Sequence, residues 1–232
     1  MKPYKYKKYL TVKFSLLFLW FSIVYSQDTN YQFKHLSPSD GLSQSSAIAI
    51  EQDSLGQIWV GTRDGLNSYN GTKFTVFRND PKSKSSISNN DILSLEVDRS
   101  GHVWIGTHNG LNRYDPAKNV FKTFFHNSTE NSLSNNIVEV VKEMNNGEIW
   151  LATNNGLSIY NKDTNTFINV FHNQHNPQSI SGNHIKSILE SCDGTIWLGT
   201  TAGLSKLVAR EKDSLLFKNF YLNKNNTKYD EP

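Results

Sequence analysis

From residue 41 onward the chain is a succession of short apolar strips separated by clusters of Gly, Asn, Asp and Ser. Nothing after Ser26 holds its apolar residues at a sustained helical period. The strips are rich in β-branched and aromatic residues, and the clusters between them supply residues that tolerate positive φ or cap a turn. One stretch serves as the pattern. Ile92–Val97, Val103–Thr107, Leu111–Tyr114 and Phe121–Phe125 read as four strands, with turns at Arg99-Ser100-Gly101, at Gly110 and over Asp115 to Asn119.

That stretch recurs. Four of the five tryptophans, Trp59, Trp104, Trp150 and Trp197, stand 45, 46 and 47 residues apart. Ser43, Ser88, Ser134 and Ser181 each lie 13 residues before Gly56, Gly101, Gly147 and Gly194, which precede the tryptophans by three. Thr62, Thr107, Thr153 and Thr200 follow three residues after the tryptophans, and Gly65, Gly110, Gly156 and Gly203 three residues after that. Four residues further stand Tyr69, Tyr114, Tyr160 and Leu207. Only beyond this point does the spacing vary: the steps to Phe74, Phe121, Phe167 and Phe217 are 5, 7, 7 and 10 residues. Fixed spacing marks packed backbone, and variable spacing marks surface loops.

Four short strands per unit of about 45 residues is the plan of a propeller blade. The expected fold is all-β: a β-propeller of four tandem four-stranded blades, at about 41–78, 79–125, 126–171 and 172–222. Tyr31–Leu36 carries Phe33 and Leu36 at the spacing of Phe74 and Phe77, so an extra N-terminal strand is expected. A ring that shares one blade between its chain ends would lack one of these outer strands, so an incomplete ring is expected too. Trp59, Trp104, Trp150 and Trp197 recur at a mid-strand position and read as core between neighbouring sheets. The threonines read as turn hydrogen-bonders, and Gly65, Gly110, Gly156 and Gly203 as turn residues.

The pattern Asp-x-x-Gly-x-x-Trp-x-Gly-Thr-x-x-Gly-Leu-x-x-Tyr, whole at Asp53–Tyr69 and Asp98–Tyr114, resembles the two-component regulator propeller repeat. The third copy departs from it at Met144 and Ala152, the fourth at Ser191 and Leu207. The resemblance implies the extracytoplasmic sensor region of a bacterial hybrid sensor histidine kinase, with seven-bladed propellers followed by an immunoglobulin-like domain, a membrane helix and the kinase. None of those later parts lies within these 232 residues. The implied role is a ligand-sensing propeller module, a fragment lacking the kinase, with a carbohydrate as the first ligand to consider. The alternative is an exported scaffold that binds another periplasmic protein and no small ligand.

The N-terminus changes the charge argument. Lys2, Lys5, Lys7, Lys8 and Lys13 precede an apolar run from Phe14 to Val24, the layout of a signal peptide over residues 1–26. The run is too short for the ~20 residues of a membrane span, so cleavage before Gln27 is expected, leaving propeller repeats over 27–232. Those five lysines account for the basic balance. Without them 19 basic residues face 21 acidic ones, a formal charge of −2 where the whole chain has +3. This excludes nucleic acid as a partner. No second apolar span follows, so a periplasmic or extracellular protein that does not cross the membrane is expected. Cys192, the single cysteine, forms no intramolecular disulfide and sits in a turn.

No catalytic set emerges, and neither a metal nor a cofactor is expected. His172-x-x-His175 is the best metal pair, yet His172 shares its column with Arg78, His126 and Leu222. Asp53 and Asp98 recur in the turn after the first strand and read as its caps. Binding remains. The two-residue inserts after the threonines, the fourth of them Thr201-Ala202, differ between copies within an unchanging frame, and Arg63, Asp64, His108, Asn109, Asn154 and Asn155 are the candidate ligand contacts.

Overall fold

A computed structural model describes residues 31–83, 85–129, 131–211 and 214–222, together with the backbone of 229–230. The expected signal peptide lies outside the described residues.

Four antiparallel sheets follow one another, each a meander in chain order. The first holds β1 (Ala47–Gln52), β2 (Ile58–Thr62), β3 (Gly65–Tyr69) and β4 (Phe74–Phe77). The second holds β5 (Ile92–Val97), β6 (Val103–Thr107), β7 (Gly110–Asp115) and β8 (Val120–Phe124). The third holds β9 (Val138–Glu143), β10 (Ile149–Thr153), β11 (Gly156–Asn161) and β12 (Thr166–Val170). The fourth holds β13 (Ile185–Glu190), β14 (Ile196–Thr200), β15 (Leu204–Glu211) and β16 (Ser214–Leu222), with the two-residue β17 (Tyr229–Asp230) paired to its outer edge. Apart from these strands the described residues hold one 3-10 turn at Pro38–Asp40. The expectation of an all-β propeller of four four-stranded blades holds.

The core lies between sheets. Trp59, Leu66, Ile92 and Val103 fill the first junction, with Tyr114 and Phe121. Trp104, Leu111, Val138 and Ile149 fill the second, with Tyr160 and Phe167. Trp150, Leu157, Ile185, Leu198 and Phe217 fill the third. The tryptophan of one sheet meets the tyrosine of the next edge-on: Trp59 and Tyr114 at 5.5 Å between ring centres, Trp104 and Tyr160 at 5.0 Å. The tryptophan column is therefore core, as its recurrence predicts.

The inner strands stack β1 on β5, β5 on β9 and β9 on β13, with no comparable packing of β13 back on β1 among the described residues. The ring is open. Its two end faces carry apolar side chains that the inner junctions would bury: Ile50 is 68% exposed on one and Leu189 59% on the other.

One expectation is corrected. Residues 31–37 form no strand, and Phe33 is 94% exposed. The side-chain spacing is that of an outer strand, but every sheet already has its own fourth strand on β3, β7, β11 or β15. Among the described residues no third strand is left with a free edge for this segment to pair with.

Candidate functional site

The inserts sit where β2 turns into β3, β6 into β7, β10 into β11 and β14 into β15. The first of these hairpins closes on Thr62 and Gly65, which face each other in the ladder. Gly65 has φ 123° there, and a Cβ on it would stand 2.6 Å from the Phe77 carbonyl oxygen. Only glycine serves.

The threonine hydroxyl fixes the insert from inside. Thr62 Oγ1 accepts from the Asp64 amide at 3.0 Å and donates to the Gly65 carbonyl at 3.1 Å. Thr107, Thr153 and Thr200 repeat both bonds on Asn109, Asn155 and Ala202 and on the glycines that follow. Behind each threonine stands the serine of the frame, hydroxyl to hydroxyl at 2.8 Å for Ser43–Thr62 and 2.9 Å for Ser134–Thr153 and Ser181–Thr200. From outside, the Gly65, Gly110 and Gly156 amides donate to the Asn90, Asn136 and Asn183 carbonyls, which lie on the loops leading into the next sheet. The first three inserts are thus pinned to their own sheet and to the next, and the fourth to its own sheet. Arg63, His108, Asn109, Asn154 and Asn155 project from this frame, exposed.

Two candidates already have partners. Asp64 is half-buried, and its carboxylate pairs with Arg78 Nη2 at 2.9 Å while Arg78 Nε donates to its carbonyl at 3.1 Å. His108 Nε2 lies 3.6 Å from Asp91 Oδ2. No hydrogen bond or ion pair joins one insert to another among the described residues, so the candidates share one end of the sheets without forming a cluster.

Sequence reasoning missed the inner rim. The β1–β2, β5–β6, β9–β10 and β13–β14 ladders each slip by one residue, leaving Ile48, Leu93, Glu139 and Lys186 as bulges. Bulges re-aim side chains. At the third and fourth sheets this makes a charged group: Glu139 Oε1 accepts from Lys186 Nζ at 2.7 Å and from His184 Nε2 at 3.1 Å. Burial pushes the Glu139 carboxyl up, but the hydrogen bonds from Lys186 and His184 outweigh it and hold the group below its usual range. The signal in the sequence was a column five residues after the frame serine that changes from Ile and Leu to Glu and Lys.

At the opposite end the turn aspartates do more than cap. Asp98 Oδ1 accepts the Ser100 and His102 amides, and Oδ2 takes the indole N–H of Trp104 at 2.8 Å. Asp53 does the same for Leu55, Gln57 and Trp59. In the third sheet Met144 leaves that place, and Glu148 accepts the Trp150 indole at 3.1 Å instead. The Arg210 guanidinium, 2.6 Å from Glu148, pulls this carboxyl down to about 2.

The histidines have other duties. His172 Nδ1 lies 2.6 Å from the Ile180 carbonyl oxygen, and His126 Nδ1 stands likewise on Leu133. Among the described residues the histidines contact carboxylates, carbonyls or an amide, not a hydroxyl or thiol. No group of three His, Cys, Asp or Glu among those residues is placed to hold a metal, and Cys192 is exposed. The arrangement offers fixed hydrogen-bond donors and acceptors at the insert end.

Comparison with known proteins agrees with this architecture. Residues 41–64 and 86–109 match the two component regulator propeller family model. A histidine kinase of Formosa agariphila is 57% identical over 63 residues, which are 27% of this chain and 5% of that protein. The extracellular domain of a putative hybrid two component system from B. thetaiotaomicron superposes with a TM-score of 0.68 at 23% identity, over 85% of this chain and 31% of that one. An inactive virginiamycin B lyase variant from Staphylococcus aureus, solved with quinupristin, superposes at 0.56 with 16% identity, over 81% of this chain and 58% of that one. At these identities the two structures show the propeller fold. The chain spans about a third or less of the histidine kinase and the hybrid-system domain that it matches.

Proposed function

We propose, from the premise that this chain is built of two-component regulator propeller repeats, that it is an exported, non-catalytic ligand-sensing module of a two-component signalling system. The observation that carries the reading is the contrast at the insert end. The same threonine-to-turn hydrogen bonds recur in all four sheets, and they present a different pair of residues in each. Arg63 offers a forked donor, His108 an imidazole, and Asn109, Asn154 and Asn155 offer both donor and acceptor. Such a row is non-repeating although its support repeats, as recognition of an asymmetric ligand requires. The match to a histidine kinase supports the signalling context, and the fold shared with an extracellular domain supports export.

A carbohydrate is the first ligand class to test, because its hydroxyls suit amide and guanidinium partners. No aromatic side chain stands on the inserts themselves, but the part-exposed rings of Phe125 and Phe171 lie against the turn glycines Gly110 and Gly156 beside them. The test is the double substitution Arg63→Ala with His108→Ala, titrated against a panel of acidic and neutral oligosaccharides. Binding falls while the melting temperature stays within a degree or two, since both side chains are exposed and serve no frame bond. A double variant that binds the panel as the parent does places recognition elsewhere.

A further inference from the structure

The ladder registers place two side chains beside each tryptophan, one on the third strand and one on the fourth. These are Ser68 and Thr75 beside Trp59, Arg113 and Lys122 beside Trp104, Ile159 and Ile168 beside Trp150, and Lys206 and Lys218 beside Trp197. In the second and fourth sheets the pair is cationic and covers aromatic rings. Arg113 lies 5.6 Å over Trp104 and Lys122 5.0 Å over Phe124, while Lys206 and Lys218 each lie 5.4 Å over Trp197 and Phe220.

The junction of the second and third sheets shows the full set of partners for such cations. Arg113 Nη1 reaches Tyr160 Oη at 3.4 Å, and Lys122 Nζ donates to Asn165 Oδ1 at 2.6 Å. Asn165 also accepts the Tyr160 hydroxyl, at 2.7 Å, and holds φ 56°. One junction earlier every recipient is present. Tyr114 donates to Asn119 Oδ1 at 2.8 Å, Asn119 holds φ 54°, and Trp59 and Phe77 stack at 6.2 Å as Trp104 and Phe124 do. Only the cations are missing, replaced by the short hydroxyls of Ser68 and Thr75. In their place a cleft of about 450 Å³ opens, lined by these residues, and among the described residues the one charged group on its wall is the carboxylate of Asp53. It runs on into a second hollow of about 310 Å³ beside Asp115, where Lys118 and His102 are the nearby bases.

We propose that this cleft is a docking pocket for an arginine side chain of a partner polypeptide. The guanidinium takes the place that Arg113 fills one sheet later, against the aromatic wall, within reach of Tyr114 Oη and Asn119 Oδ1. Cation–π attraction and the Asp53 carboxylate favour it, and the Ser68 and Thr75 hydroxyls accept its remaining donors. The pocket lies at the end of the sheets opposite the inserts, so a protein partner and a small ligand can be held together.

The test titrates acetyl-Gly-Arg-Gly-amide into the full chain, following the Trp59 indole N–H by NMR, with the neutral citrulline peptide as control. Saturable binding at one site is expected, with citrulline about tenfold weaker. Ser68→Arg with Thr75→Lys closes the cleft, keeps the melting temperature and abolishes binding. Arg113→Ser with Lys122→Thr opens a second cleft and raises the stoichiometry to two. Equal binding of the citrulline peptide, undiminished binding by the filled variant, or displacement of the peptide by a neutral oligosaccharide overturns the proposal.

Discussion

Trp104→Ala tests whether the junctions between sheets hold the fold. The ring is 1% exposed, and a tryptophan buried to this degree removes about 200 Å² from water. At ~25 cal/mol per Å² this is about 5 kcal/mol, an upper figure because the unfolded chain also hides some apolar surface. Truncation leaves a cavity facing Phe124 and Tyr160, and it strands Asp98 Oδ2 without the indole donor in a residue 5% exposed. The sum is a loss of about 4–5 kcal/mol. Trp197→Ala is the internal control. That ring is partly exposed, and no further sheet among the described residues packs on its far side. It should cost about half as much. Guanidinium chloride unfolding followed by circular dichroism gives both values, and in a repeat array it reads the nearest-neighbour coupling directly. Equal losses for the two variants, or less than about 1 kcal/mol for Trp104→Ala, would falsify the assignment of stability to these junctions.

Thr153→Val removes a fully buried hydroxyl shared by Ser134, Asn155 and Gly156; a loss of about 1–3 kcal/mol and faster hydrogen exchange at the Asn155 amide are expected. Glu148 has a folded pKa of about 2 against an ordinary 4.5, so its stabilisation is complete above 4.5 and is lost as pH falls through about 2. Glu148→Gln should therefore flatten the dependence of melting temperature on pH across that window, and parallel curves for the two proteins would exclude the Arg210 pairing as its source. The open faces predict concentration-dependent association in sedimentation velocity, suppressed by Ile50→Lys with Leu189→Lys; a parent that stays monomeric at all concentrations would refute exposure of those faces in solution.

Much of this molecule is legible in its sequence because the repeat compares the chain with itself. Four tryptophans in one column, at fixed distance from serine, threonine and glycine, cannot all be ligand contacts, and their shared spacing yields the strands almost to the residue. What stayed hidden depends on partners far apart in the chain. Nothing local shows that Asp98 receives an indole proton six residues away, or that Glu148 takes over where Met144 stands. Asp64 reads as a free acid until Arg78, fourteen residues on, folds back to it. Tyr31–Leu36 misled for a related reason: side-chain spacing describes a strand's faces, whereas a strand exists only where an edge is open to receive it.

The frame tolerates change when a second position answers the first. Asn67 and Asn112 use one side chain to accept the amide of the frame serine and donate to its hydroxyl. In the third and fourth sheets Ser158 or Ser205 stands there, accepts the same serine amide at 3.0 and 2.8 Å and meets its hydroxyl at 2.9 Å, and an asparagine appears opposite it on the outer strand. Asn169 and Asn219 accept from those hydroxyls at 2.7 Å each and donate to the Ser132 and Ser179 carbonyls. The amide has moved from the third strand to the fourth, and the serine keeps its partner. Compensation of this kind separates positions that hold the sheet from positions free to vary. The inserts are uncompensated at one end, as are Ser68 and Thr75 near the other. An uncompensated difference in a self-consistent repeat leaves either a cost or an opening, and at Ser68 and Thr75 the structure shows an opening.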